Sequence, residues 1–250
     1  MRKLCFGFAA ATAMVCAAGS AAADGMAPYA RAPYRPAISW TGCYVGVGGG
    51  YGMYNLDTHL TSAATGLPTS VTLDQGGRGW FGTAQVGCDY QFSGRWLAGA
   101  FIDGDLADIT GKHTGQSTGS VGLVSADMPL SGSWAAGGRL GYLVNPSFLT
   151  FASAGFTQAR FDGVDYAGFG GGLTGASVPG QTYNGYFIGG GTEYAIGFHP
   201  GLFWKTEYRF ADYGTENLAV FTTATGVRTG VLETTHPYVQ TIRTELVWRF

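Results

Sequence analysis

Lys205, Glu207 and Arg209 occupy every second position of LFWKTEYRFADY. Arg243, Glu245 and, past Val247, Arg249 fall on one such alternate-residue face in PYVQTIRTELVWRF, the last fourteen residues. Charges of both signs at this spacing share one face of a β-strand. Asp103, Asp105, Arg139 and Glu193 fall on the matching face of other strand-like stretches. Such a set can act as catalytic carboxylates, line a channel, or neutralise itself as ion pairs. Alternating signs favour the third reading: a structural ion-pair network filling a narrow interior. The opposite faces are largely apolar, with Trp204, Tyr208 and Phe210 in one stretch and Tyr238, Ile242, Leu246 and Trp248 in the other.

Other candidate chemistry is weaker. His59, His113, His199 and His236 lie in stretches read as loops or a turn, with neither an H-E-x-x-H motif nor a Cys/His cluster. No metal site and no cofactor are expected. The glycine run GVGGG is followed by no helical period, so it is not a dinucleotide fingerprint. The Gly-rich loops lack the acidic pattern of calcium sites.

The chain begins with an export signal over residues 1–23: basic Arg2 and Lys3, an apolar stretch, and small residues ending at Ala23, the expected cleavage position. Removing it leaves about 227 residues and a net charge of about −4, which argues against nucleic acid. Cys43 and Cys88 survive cleavage, and an even pair in an exported chain points to a disulfide. Residues 24–39, rich in Pro and Ala, read as a periplasmic linker, leaving 40–250 as one domain.

The elements that position the charges are strands. Eight stretches alternate with period two, near 40–53, 78–92, 95–106, 132–144, 148–160, 183–196, 202–213 and 237–250. The connections between them alternate long and short: 54–77, 93–95, 107–131, 145–147, 161–182, 197–201 and 214–236. This predicts an all-β, eight-stranded antiparallel up-and-down transmembrane β-barrel with short periplasmic turns and four long external loops. The fifth stretch is less regular, because Leu149 and Phe151 suit one face, Gln158 suits the other, and Phe156 breaks the pattern.

A soluble barrel would put the apolar face inside. Three features favour the reverse. Trp80, Trp96, Trp134, Tyr142, Trp204 and Trp248 lie on apolar faces, mostly near strand ends, as in interfacial girdles. The opposite faces combine glycine with charges of both signs. Finally, a wet exterior would need more charge than 12% of residues supplies. With the charges inside, pairing Cys43 with Cys88 also sets Val45 against Val86, Val47 against Ala84 and Tyr51 against Trp80.

The stretches WTGCYVGVGGGYG, VGCDYQF, RLGYLV, GGGTEY, KTEYRFADYG and RTELVWRF resemble the alphaproteobacterial outer-membrane β-barrel family, the small opacity-type, Omp25/Omp31-like surface proteins labelled "porin family". The likeness covers roughly 40–250 and departs at Cys43 and Cys88. It implies the cell outer membrane as location and outer-membrane lipids as surroundings. The ending Trp248–Phe250 is similar to the signal by which that family engages the barrel assembly machinery, with periplasmic chaperones as transient partners. The expected function is a structural, surface-exposed barrel supporting envelope integrity, and not an enzyme. The alternatives are a narrow porin passing ions or small solutes and, third, a lipid-modifying enzyme. An eight-stranded lumen is just filled by side chains, which disfavours a wide channel. The external loops could meet a host or environmental ligand, but their composition names none.

Overall fold

A computed structural model describes residues 38–250 except 71, 117–122, 169–172 and 223. The export signal with Ala23, and the linker up to residue 37, lie outside the described residues. Twelve strands follow: β1 Gly42–Ser62, β2 Leu73–Ser93, β3 Trp96–Gln116, β4 Leu123–Asp127, β5 Leu130–Asn145, β6 Phe148–Phe161, β7 Val164–Gly168, β8 Leu173–Val178, β9 Gln181–Ala195, β10 Leu202–Asp212, β11 Glu216–Thr222 and β12 Arg228–Arg249.

Eight of these close into a ring in the order β1-β2-β3-β5-β6-β9-β10-β12, with β12 returning to β1 from Tyr44↔Arg249 to Ser62↔Val231. All the pairings are antiparallel, so the barrel is an up-and-down meander with no free edge. Its three short turns lie at one end. Cys43 stands opposite Cys88 and is bonded to it, and the three predicted companion pairs hold.

The long external connections are built largely of strand. β1, β2, β3 and β12 run on beyond the others, and β4, β7, β8 and β11 complete the wall above β5, β6, β9 and β10. Pairing of β9 with β10 stops at Tyr186↔Asp212 and resumes in the same register at Ser177↔Phe221 on β8 and β11. Between them the chain bends at Gly214, whose φ of +66° favours a residue without Cβ. His59 and His236 therefore lie in β1 and β12, and His113 falls within β3, rather than in loops; His199 remains in a turn.

Two belts of aromatic side chains ring the outside. Tyr90, Trp96, Tyr194, Trp204 and Trp248 mark the short-turn end. Trp80, Trp134, Phe156, Tyr186 and Tyr208 lie toward the other, all of them exposed. From Trp248 to Tyr238 on β12 is about 25 Å along the axis, at ~3.3 Å per residue and a tilt near 40°. The belts thus bracket one hydrocarbon layer. Val45, Val47, Val86, Ile102, Leu140, Ile188, Ile242 and Leu246 are exposed apolar side chains between them. The described residues contain no helix long and apolar enough to cross a membrane; the strands do so.

The fifth ring member, sought from sequence at 148–160, has its faces reversed. Leu149 and Phe151 point inward and are buried, while Phe156 faces outward. Both faces of β6 carry rings, so hydrophobicity alone does not orient it.

Candidate functional site: the barrel interior

The interior is stacked in layers. At the short-turn end Trp40, Tyr44, Leu97, Leu143, Leu149, Phe203 and Val247 are buried together. Trp40 donates its Nε1 proton to the Pro146 carbonyl at 3.0 Å and packs against Phe203, ring centres 4.8 Å apart. The chain enters the barrel through this plug, and Arg249 holds it by donating to the Trp40 carbonyl at 2.9 Å.

Above the plug lies a closed square of charges. Arg139 donates to Asp89 and to Glu193, the latter at 2.9 Å. Arg249 donates to Asp89 at 2.6 Å and to Glu193 at 2.7 Å. Tyr44 lies under both guanidinium groups, its ring 4.8 Å from that of Arg139 and 5.1 Å from that of Arg249. Each cation meets two anions and each anion two cations, the arrangement in which buried charge is best compensated.

A second group follows. Lys205 reaches Glu207 at 3.0 Å, Glu245 at 3.2 Å and the Gln85 side-chain carbonyl at 2.8 Å. Arg209 grips Asp103 with both terminal nitrogens, at 3.0 and 2.9 Å. Arg243 bridges Asp103 at 3.4 Å and Asp105 at 3.1 Å. Ser153 donates to Glu207 at 2.6 Å, and Ser133 to Asp105 at 2.9 Å. Phe101, Phe151 and Phe187 pack their faces against the cations, closest at Arg209 over Phe187, 4.2 Å. Phe101 breaks the polar face in sequence because a cation shelters on its ring.

Inward glycines make room for these groups. A Cβ on Gly46 would stand 3.0 Å from Glu245 Oε2, and one on Gly189 the same distance from Glu207 Oε1. The glycine stripe of β1 is thus steric: long charged side chains from facing strands fill the space that small residues leave.

The third layer lies beyond the outer belt. Tyr54, Leu56, Ile109, Met128, Leu130, Phe161, Val164, Val178, Tyr183, Leu218 and Val220 are buried there. Tyr54 donates to the Met128 carbonyl at 2.6 Å, and Tyr183 exchanges a hydrogen bond with Thr235 at 2.9 Å. Burial pushes both phenols up to about 12.

All ten charged residues singled out from the sequence (Asp103, Asp105, Arg139, Glu193, Lys205, Glu207, Arg209, Arg243, Glu245 and Arg249) point inward and are buried. The missed member is Asp89, although it lies on the same period-two face as Thr83 and Gln85. It stands in VGCDYQF beside the cysteine, the feature that draws the eye. No group of three or more His, Cys, Asp or Glu among the described residues has the arrangement of a metal site. Trp248 lies in the short-turn belt, and Phe250 extends past β12, 74% exposed, donating its amide to the Cys43 carbonyl at 3.0 Å.

A closed meander with an ionic interior, an apolar belt and two aromatic girdles is a transmembrane barrel of the bacterial outer membrane. The chain is homologous to the 31 kDa outer-membrane immunogenic proteins of Brucella melitensis biotype 1 and Brucella suis biovar 1. It is 27% identical to each over 218 residues, covering 84% of this chain and 87% of theirs. This meets the Omp25/Omp31-like resemblance and its outer-membrane location. No family model matches the chain. Among solved structures it aligns with OprG of Pseudomonas aeruginosa (13% identity, 84% of this chain, 97% of that one, TM-score 0.49). It also aligns with Neisserial surface protein A (12%, 84% and 98%, 0.39) and the Escherichia coli outer membrane protease OmpT (11%, 84% and 97%, 0.47). The barrel itself rests on the strand register of this chain.

Proposed function

We propose that this protein is a sealed structural barrel that supports the envelope and carries a strand-built extension into the medium. The carrying observation is the closure of the interior at both ends. Trp40, Tyr44 and Phe203 fill one mouth, Leu56, Phe161 and Tyr183 the other, and paired charges lie between. A solute path would have to displace two apolar plugs and separate ion pairs whose partners would be left buried and uncompensated, at several kcal/mol for each ion. The ion-pair network is a filler on this reading, neither a channel lining nor a set of catalytic carboxylates. The Brucella relatives are named as immunogenic, which suits a surface-exposed protein. We assign no enzymatic step.

Assembly belongs to the same reading. Phe250 makes one backbone hydrogen bond and is otherwise exposed, so it contributes little to the finished barrel. It serves as a terminus recognised during insertion by the assembly machinery, after delivery by periplasmic chaperones.

The test is liposome swelling with the refolded mature protein, paired with a deletion strain. Proteoliposomes should admit small sugars no faster than protein-free ones, and the deletion strain should be more sensitive to detergent. Rapid sugar entry would favour the porin alternative. Unchanged detergent resistance would remove the envelope role.

A further inference from the structure

The barrel wall slips at one place near the outer belt. Around Gly132, β5 loses register with both neighbours: with β3 between Leu106 and Ile109, and with β6 between Leu130 and Gly132. Slips of this kind re-aim side chains and open a sheet locally. Here they produce a recess of about 370 Å³ lined by Asp105, Ser131, Ser133, Trp134, Gln158 and Arg160, among others. Gly132 keeps it open, since a Cβ there would stand 3.1 Å from the Asp105 carbonyl.

The lining is polar but ordered. Trp134 Nε1 donates to Gln158 Oε1 at 3.0 Å, and Gln158 Nε2 to Asn184 at 2.7 Å, which fixes the indole as one wall. Asp105 borders the recess, with its carboxylate turned inward to Ser133 and Arg243. Arg160, at the rim, has a single loose partner among the ion pairs, Asp162 at 3.7 Å, and both are well exposed. Its guanidinium keeps donors free for a bidentate anion.

Position decides between ligands. Trp134 belongs to the outer belt, so the recess opens at the depth of the outer-leaflet headgroups. An indole wall, hydroxyls and a side-chain amide suit a saccharide, and the arginine suits a phosphate. We propose that this recess holds the phosphorylated saccharide headgroup of an outer-leaflet glycolipid. The lipid then lies against the smooth side of the barrel, where Ala100, Gly138 and Ala154 stand in one row facing the membrane.

The refolded mature protein can be titrated with fluorescently labelled lipopolysaccharide in vesicles of phosphatidylethanolamine and phosphatidylglycerol, and with glucosamine 6-phosphate as a soluble probe. Arg160→Ala should weaken retention of the glycolipid about tenfold, the loss expected for one charged hydrogen-bonding group. Gly132→Val, which fills the recess, should abolish it. Arg228→Ala, on an exposed residue of the extension, should change nothing. The gel shift between heated and unheated samples reports folding, and Arg160→Ala alters only an exposed side chain, so one variant remains informative if Gly132→Val fails to insert. Wild-type retention by folded Gly132→Val or by Arg160→Ala would overturn the proposal. Tight binding of the soluble sugar phosphate with none of the vesicle-borne glycolipid would overturn the lipid as its source.

Discussion

The same strands build two cores of opposite character. Between the aromatic belts, β3 and β12 present charges inward, β1 presents glycines that make room for them, and all three carry apolar side chains outward. Beyond the outer belt the inward residues are Leu56, Ile109 and Phe161, and the outward ones include Asn55, Asp57 and His236. The strand parity does not change; the solvent does. Lipid outside a wall requires an apolar exterior and leaves the polar groups to pair with each other inside. Water outside reverses both demands. The point of exchange on β1 lies near Met53 and Tyr54, just past the belt marked by Tyr51 and Trp80.

Removing charge from the lower core is the strongest way to probe this contrast. Arg139→Ala should destabilise the barrel by about 3–5 kcal/mol, because Asp89 and Glu193 each lose a partner while buried. Urea unfolding followed by the heated-versus-unheated gel shift would measure it. A loss below 1 kcal/mol would mean that water reaches these carboxylates. Next, Cys43→Ala with Cys88→Ala removes the link across a separation of 45 residues, which closes the β1–β2 hairpin. The chain-entropy model allows up to about 4 kcal/mol, and less if the β1–β12 seam already restrains the ends. Comparing oxidised and reduced protein in the same urea series gives the value.

The upper core should respond locally. Leu56→Ala should cost about 3 kcal/mol, and the loss should appear as protease sensitivity of the extension while the belt-to-belt barrel still resists. Loss of the whole barrel would show that the two cores unfold together. The upper core should also respond to alkali. Tyr54 and Tyr183 have folded values raised to about 12 from an ordinary 10, so unfolding is favoured by their ionisation. Their contribution is complete below pH 10 and is lost as pH rises toward 12. Hydrogen exchange in the extension should rise in that window.

The smallest effect is expected at the bend. Asp212 is part-buried, which opposes its charge, but the Gly214 amide and the His236 and Tyr186 side chains bind its carboxylate and hold its pKa below the ordinary carboxylate range. A depressed acid adds stability at neutral pH that disappears as pH falls through its folded value. Asp212→Asn should therefore cost about 1 kcal/mol at neutral pH and nothing in strong acid.

Legibility in the sequence follows the same divide. Where lipid faces the wall, period-two patterning identified the strands, their faces, the charged set and the Cys43–Cys88 register. It failed where the rule inverted. In β1 the apolar residues sit at odd positions through Met53 and at even positions from Tyr54 and Leu56. A pattern that changes phase without a turn reads as a break, so 54–77 looked like a loop. β6 misled for a related reason, since Phe151 inside and Phe156 outside are both aromatic. The double slip at Gly132 left no trace, because a displaced register depends on neighbours that are distant in sequence.

The central claim is that the lumen is closed. Planar-bilayer recording on the refolded mature protein tests it most directly. The account predicts a baseline without stable, reproducible current steps, unchanged as the applied voltage is raised. Sizeable, long-lived unitary steps that change on Arg139→Ala would contradict it.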